Sequence, residues 1–137
     1  MRTFPFVLLA VLAIGCGKDP SGPVPIARYD LVRVNGLPLP YVRLQTGTVK
    51  EEVLGGRIDL FATNTYVDIA TFRTAEGNLV QKFDVTLQGP YTMEGTTLTF
   101  TVISEEDQTG DDKYTGTIVG DTLVVQVGNT VWKYAER

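Results

Sequence analysis

The sequence predicts an all-β fold, an antiparallel up-and-down meander closed into a small barrel of about eight strands. Three observations predict it. Apolar residues recur at every second position through most of the stretch from Ala27 to Tyr134. Turn-forming residues interrupt these runs at short intervals. After residue 27 no segment carries an apolar repeat of helical period. A two-sheet β-sandwich is the alternative arrangement of the same strands.

The elements are taken in chain order. Met1-Arg2-Thr3 is a short basic start, and Phe4 to Ile14 is apolar and uncharged. That run falls short of the roughly 20 residues a spanning helix needs, and it has the length of a signal-peptide core. It ends in Leu12-Ala13-Ile14-Gly15-Cys16. These residues resemble a bacterial lipobox, in which a signal peptidase cuts before a cysteine that carries a diacylglyceryl thioether. Ala13 stands where that pattern most often has Leu. The resemblance implies that residues 1–15 are the signal peptide and that Cys16 is the lipidated first residue of the mature chain. Cys16 is the single cysteine, so no internal disulfide competes for it.

Gly17 to Pro25 holds three prolines and two glycines, which disfavour helix and central strand alike. Residues 16–26 are therefore expected to be the lipidated cysteine and a flexible tether, with the β domain at 27–137. Gly17 occupies the place where some bacteria put an Asp that retains lipoproteins at the inner membrane. The resemblance then points to a lipid-anchored protein of the cell envelope, at the outer membrane and on its periplasmic face.

Nine strands are expected, near residues 28–35, 41–49, 51–62, 65–75, 79–92, 96–104, 113–119, 121–128 and 130–135. In the fifth, Leu79, Phe83, Val85 and Leu87 share one face, broken only by Gln81. Leu98, Phe100 and Val102 alternate with threonines, and Leu123, Val125 and Val127 alternate in the same way with Thr122, Val124 and Gln126. Such alternation marks half-buried antiparallel strands. Asn35-Gly36 suits a tight hairpin turn with positive φ. Glu76-Gly77-Asn78, Glu94-Gly95, Gly120-Asp121 and Gly128-Asn129 punctuate the rest. One of these nine strands is expected to be an irregular extension of its neighbour, around Gly55-Gly56. The stretches from Tyr91 to Leu98 and from Tyr114 to Leu123 echo each other, each with a Tyr-Thr start, a Gly turn and a Thr-Leu entry.

Closure into a barrel removes the exposed strand edges that a short meander would otherwise present. Several stretches carry a further resemblance: Tyr29 to Gly36, Gly89-Pro90-Tyr91 with Leu98-Thr99-Phe100, Tyr114 to Leu123, and the closing Trp132-Lys133-Tyr134. Over residues 29–134 the chain resembles the small lipocalin-like domains of bacterial lipoproteins. True lipocalins carry a Gly-x-Trp near the first strand, whereas the single Trp here is Trp132.

Composition argues against enzyme chemistry. The chain has no His, which removes nucleophile–His pairs and the usual zinc sites. The only serines are Ser21 and Ser104, and the only thiol belongs to the anchor. No catalytic residue, metal ligand or cofactor site is expected. The acids Glu105, Glu106, Asp107, Asp111 and Asp112 lack the ligand spacing of a calcium loop and read as a solvated hairpin. The formal charge is −4, and removal of residues 1–15, which hold Arg2 and no acid, makes it −5. With no basic stripe, nucleic acid is excluded as a partner. With no polybasic patch, membrane attachment falls to the acyl chains.

Five aromatics, Tyr66, Phe72, Phe83, Phe100 and Tyr114, are the candidate ligand-binding residues, placed to line an apolar interior. The same residues serve as core if the barrel is filled. An eight-stranded barrel has room for its own side chains or for one small ligand, and a mostly filled interior is favoured at this length. Arg33, Arg43, Arg57 and Arg73 are candidates for an inward anion anchor, most of them expected to point outward. Two functions follow. One is a barrel that binds a small apolar or amphipathic ligand. The other is a structural lipoprotein that meets an envelope protein and holds no ligand.

Overall fold

The computed structural model describes residues 22–104, 110 and 112–137. The expected signal peptide, Cys16 and the expected tether up to Ser21 lie outside these residues, as do Glu105, Glu106, Asp107 and Asp111 of the acidic stretch.

Ten strands run β1 (Ala27–Val34), β2 (Leu37–Pro38), β3 (Tyr41–Thr46), β4 (Val49–Leu60), β5 (Thr65–Glu76), β6 (Leu79–Glu94), β7 (Thr97–Thr101), β8 (Lys113–Val119), β9 (Thr122–Val127) and β10 (Thr130–Glu136). All ladders are antiparallel, and from β3 to β10 each strand pairs with its successor. β1 pairs with β10 on one side and with β4 on the other, Ala27 opposite Leu60 and Asp30 opposite Arg57. These two ladders close eight strands into a barrel. β2 and β3 stand outside the closure, β2 on the end of β1 and β3 on the first half of β4.

The expected meander is thus the observed one, with β2 added. β2 escapes a periodicity argument because two residues, one of them Pro38, show no alternation. Its hairpin turn is Asn35-Gly36, with φ of 49° and 78°, as a two-residue turn of this hand requires. The irregularity near Gly55-Gly56 is a bulge between Val53 and Gly55. β4 runs through it unbroken and changes partner there, from β3 to β1. Gly56 sits at the crossing, where a Cβ would come within 3.0 Å of the Ile69 carbonyl oxygen.

The barrel wall carries its charges outside. Arg28 grips Asp59 across the β1–β4 seam, Nε to Oδ1 at 2.6 Å and Nη2 to Oδ2 at 3.1 Å, and Arg57 adds a second cation. Glu52 accepts from Arg73 of β5 at Oε2 and pairs with Lys50 at Oε1. Bidentate pairs add direction to strand pairing. The inside is apolar except for Asp68. Val34, Val53, Ile58, Leu98, Phe100, Leu123 and Val125 are almost wholly buried, and each large side chain so placed contributes about 1.5–3 kcal/mol.

Candidate functional site

The interior is filled at one end and open at the other. At the filled end Phe100 stacks on Tyr114 with ring centroids 4.8 Å apart, and Tyr66 meets both rings edge-on at 4.8 and 6.0 Å. Tyr91 completes the group. Such offset and edge contacts suit ring quadrupoles.

The open end arises from unequal strand lengths. β6 pairs with β5 from Leu79 to Pro90 but with β7 only from Tyr91 to Glu94. The β5–β6 hairpin therefore outruns β7. Over this stretch β6 has no strand paired on its β7 side, so its inward face lacks lateral cover there. Leu79, Phe83 and Val85 share a face as the alternation predicts, yet they are 60%, 44% and 41% exposed. Face parity is right here, but the burial expected of it is absent.

A cavity of about 140 Å³ lies in this end. β5 lines it with Asp68, Ala70 and Phe72, β6 with Val85 and Leu87, β9 with Val125 and Val127, and β10 with Trp132 and Tyr134. A second hollow of about 320 Å³ shares Val127 and Trp132 with it and reaches Tyr41, Arg43 and Thr130 at the rim. The interior, expected to be mostly filled, is packed around the aromatic group and holds this hollow beside it.

The five candidate aromatics divide accordingly. Tyr66, Phe100 and Tyr114 belong to the packed core, and none of them lines the cavity. Phe72 is in the cavity wall; Phe83 is not among the lining residues and stacks on Phe72 with ring centroids 5.6 Å apart. Of the four arginines, Arg57 and Arg73 point outward to Asp59 and Glu52, and Arg33 donates to the Gly36 carbonyl. Arg43 alone reaches the mouth, over the Phe72 ring at 5.5 Å, and there it pairs with Glu51 at 3.1 Å.

The residue that sequence reasoning missed is Asp68. It faces inward from β5, buried, in the row of Tyr66, Ala70 and Phe72. The Tyr114 hydroxyl donates to its Oδ2 at 2.9 Å. Burial pushes its carboxyl up to about 6, against the lowering effect of the Tyr114 hydrogen bond. Burial likewise raises the Tyr114 and Tyr134 phenols far above their ordinary range, with the Asp68 charge adding to the effect. The Tyr66 hydroxyl, 1% exposed on its residue, has no hydrogen-bond partner among the described residues. A signal for Asp68 existed: in Tyr66-Val67-Asp68-Ile69-Ala70 the acid falls on the inward parity, where only a polar interior accommodates it.

The site is an apolar hollow with one carboxyl group in its wall. Chemically it can hold a small molecule and hydrogen-bond its polar end. Comparison with protein-family models, with curated proteins and with solved structures returned no match.

Proposed function

We propose that the chain is the precursor of an envelope lipoprotein. In this reading it is anchored through acyl chains on Cys16, and its barrel takes up a small apolar or amphipathic ligand through the open end. The observation that carries the ligand reading is the cavity between β5, β6, β9 and β10, apolar on every side except Asp68. An apolar hollow of about 150 Å³ takes a molecule of benzene size, so the ligand is small or inserts only one short chain. The lipobox-like run before Cys16 supports the anchor, and more than one acyl chain gives stable attachment. By the Gly17 argument the protein sits at the outer membrane and faces the periplasm. The protein is read as a binder with no catalytic role.

Two measurements test this. Fatty-acid labelling of the protein in its own host is expected to mark the chain and to vanish in Cys16→Ala; an unlabelled chain keeping Met1 refutes the anchor. Native mass spectrometry of the protein from that host is expected to show an added small-molecule mass that denaturation removes. Its absence at high sensitivity, with no binding in solution, favours the protein-partner reading, for which exposed Leu79 and Val80 at the β5–β6 tip are the candidate contacts.

A further inference from the structure

The geometry points to a ligand with a cationic head: a short alkylammonium-type amphiphile whose head meets Asp68 and whose chain lies along Phe72 and Trp132 toward the mouth. The inference rests on the reading that the barrel takes a ligand at all, and it adds the chemical class.

Five observations carry it. Asp68 is the one charged side chain among those lining the cavity. Among the described residues no Lys or Arg forms an ion pair with it. The groups that face it are neutral: the phenols of Tyr66 on β5, Tyr114 on β8 and Tyr134 on β10. Its ladder neighbours, Ile58 on β4 and Leu87 on β6, are apolar. The rim cation that an anionic ligand would need, Arg43, is already matched by Glu51.

The cavity therefore holds one unbalanced charge, and it is negative. A buried carboxylate without a counter-ion is unfavourable, and its cavity-facing side is open to whatever enters. An ammonium restores the balance and adds charge-assisted hydrogen bonds, roughly twice as strong as neutral ones. An alcohol supplies one neutral donor. A carboxylate head brings like charge to the same place. The cavity's size sets the chain at a few methylenes, since about 150 Å³ holds a benzene-sized group.

The test compares hexylammonium, hexanol and hexanoate on the whole chain. Binding is followed by calorimetry and by the fluorescence of Trp132, the sole tryptophan and a cavity residue. At pH 7.5 hexylammonium is expected to bind about tenfold or more tightly than hexanol, with hexanoate the weakest. Between pH 6 and pH 5 its affinity falls by up to about tenfold as Asp68 takes up a proton, while hexanol is unaffected. Asp68→Asn removes both the preference and the pH effect. Equal, saturable binding of hexanol and hexylammonium overturns the cationic head and leaves the ligand reading standing, as does a preference for hexanoate. No binding of any of the three, with Trp132 silent, overturns both. The pH series on the unaltered chain decides the matter even where the variant folds poorly.

Discussion

The Tyr114 hydroxyl donates a 2.9 Å hydrogen bond to Asp68 Oδ2 across the barrel interior, joining β8 to β5 over 46 residues of chain. It is the polar hinge between the packed aromatic end and the open end. Asp68 has a folded pKa of about 6 against an ordinary 3.8. The folded state thus binds that proton more tightly than the unfolded chain does. The contribution of Asp68 to stability is most favourable below about pH 3.8, is lost as pH rises toward 6, and is constant above it. A gap of about two pH units corresponds to ~3 kcal/mol. Asp68→Asn keeps an acceptor for Tyr114 and cannot ionise. The variant is expected to be more stable than the parent at pH 7.5, by up to ~3 kcal/mol. Urea unfolding across pH 4–7 checks this. Glu52 acts in the opposite sense, because Lys50 and Arg73 hold its carboxyl below the ordinary range; its stabilising effect fades as the solution becomes acidic. That contribution is common to both proteins and cancels in the difference. Parallel pH profiles would show that Asp68 is ionised at no cost.

Tyr114→Phe removes the donor and keeps the ring that stacks on Phe100. A buried carboxylate losing a hydrogen bond costs about 1–3 kcal/mol. The loss is expected to be larger at pH 7.5 than at pH 4, where Asp68 is protonated and the bond is neutral. The Asp68 carboxyl moves above 6, since the hydrogen bond that lowered it is gone. Carbon-detected NMR titration of the side chain reads this shift, and a downward movement would contradict the assignment of donor and acceptor.

The strand pattern was legible because a half-buried strand writes its inward face at every second residue, and because turns such as Asn35-Gly36 need positive φ. Depth along the barrel is not written in that way. Phe83 and Phe100 carry the same parity signal, yet Phe100 is wholly buried and Phe83 is 44% exposed. The difference is set by where β7 ends relative to β6, a matter of ladder register between distant residues. Asp68 was hidden for a related reason. A single acid on an apolar face reads like Gln81, another polar break in the alternation. Only the meeting with Tyr114 from β8 shows that the chain buries Asp68 and not Gln81.

Gly89 marks the corner where β6 passes from its long ladder with β5 to its short one with β7. Its φ is 157°, and a Cβ there would stand 2.1 Å from the Thr101 carbonyl oxygen. Backbone cannot yield as a flexible side chain does, so Gly89→Ala is expected to destabilise the barrel by about 1–3 kcal/mol or more. Gly55 is the internal control, since nothing lies within 4 Å of its Cβ position and its φ is ordinary. Gly55→Ala is expected within about 0.5 kcal/mol of the parent, or slightly above it through a stiffer unfolded chain. Thermal unfolding separates the two, and equal effects would mean that the β6–β7 corner is looser than its geometry.

The division of the interior makes its sharpest statement through two phenylalanines. Phe100 is fully buried and touches the rings of Tyr66, Tyr91 and Tyr114. Truncation there removes contacts on every side and leaves a void that surrounding strands cannot close, so Phe100→Ala is expected to cost about 3–5 kcal/mol. Phe83 meets Phe72 on one side and water on the other. Its truncation forfeits one stacking contact and part of a face already wet, about 0.5–1.5 kcal/mol. Ligand binding should rank the two in reverse. Loss of Phe83 strips cover from the cavity wall at Phe72 and weakens uptake of a hexyl-chain ligand severalfold, with a smaller loss of stability than Phe100→Ala causes. At a temperature where Phe100→Ala remains folded, its cavity affinity stays near that of the parent, because Phe100 does not line the hollow. Paired measurements of urea midpoint and ligand affinity for the two variants test this. If Phe83→Ala bound as tightly as the parent while Phe100→Ala lost binding, the guest would sit in the aromatic end and not at the mouth.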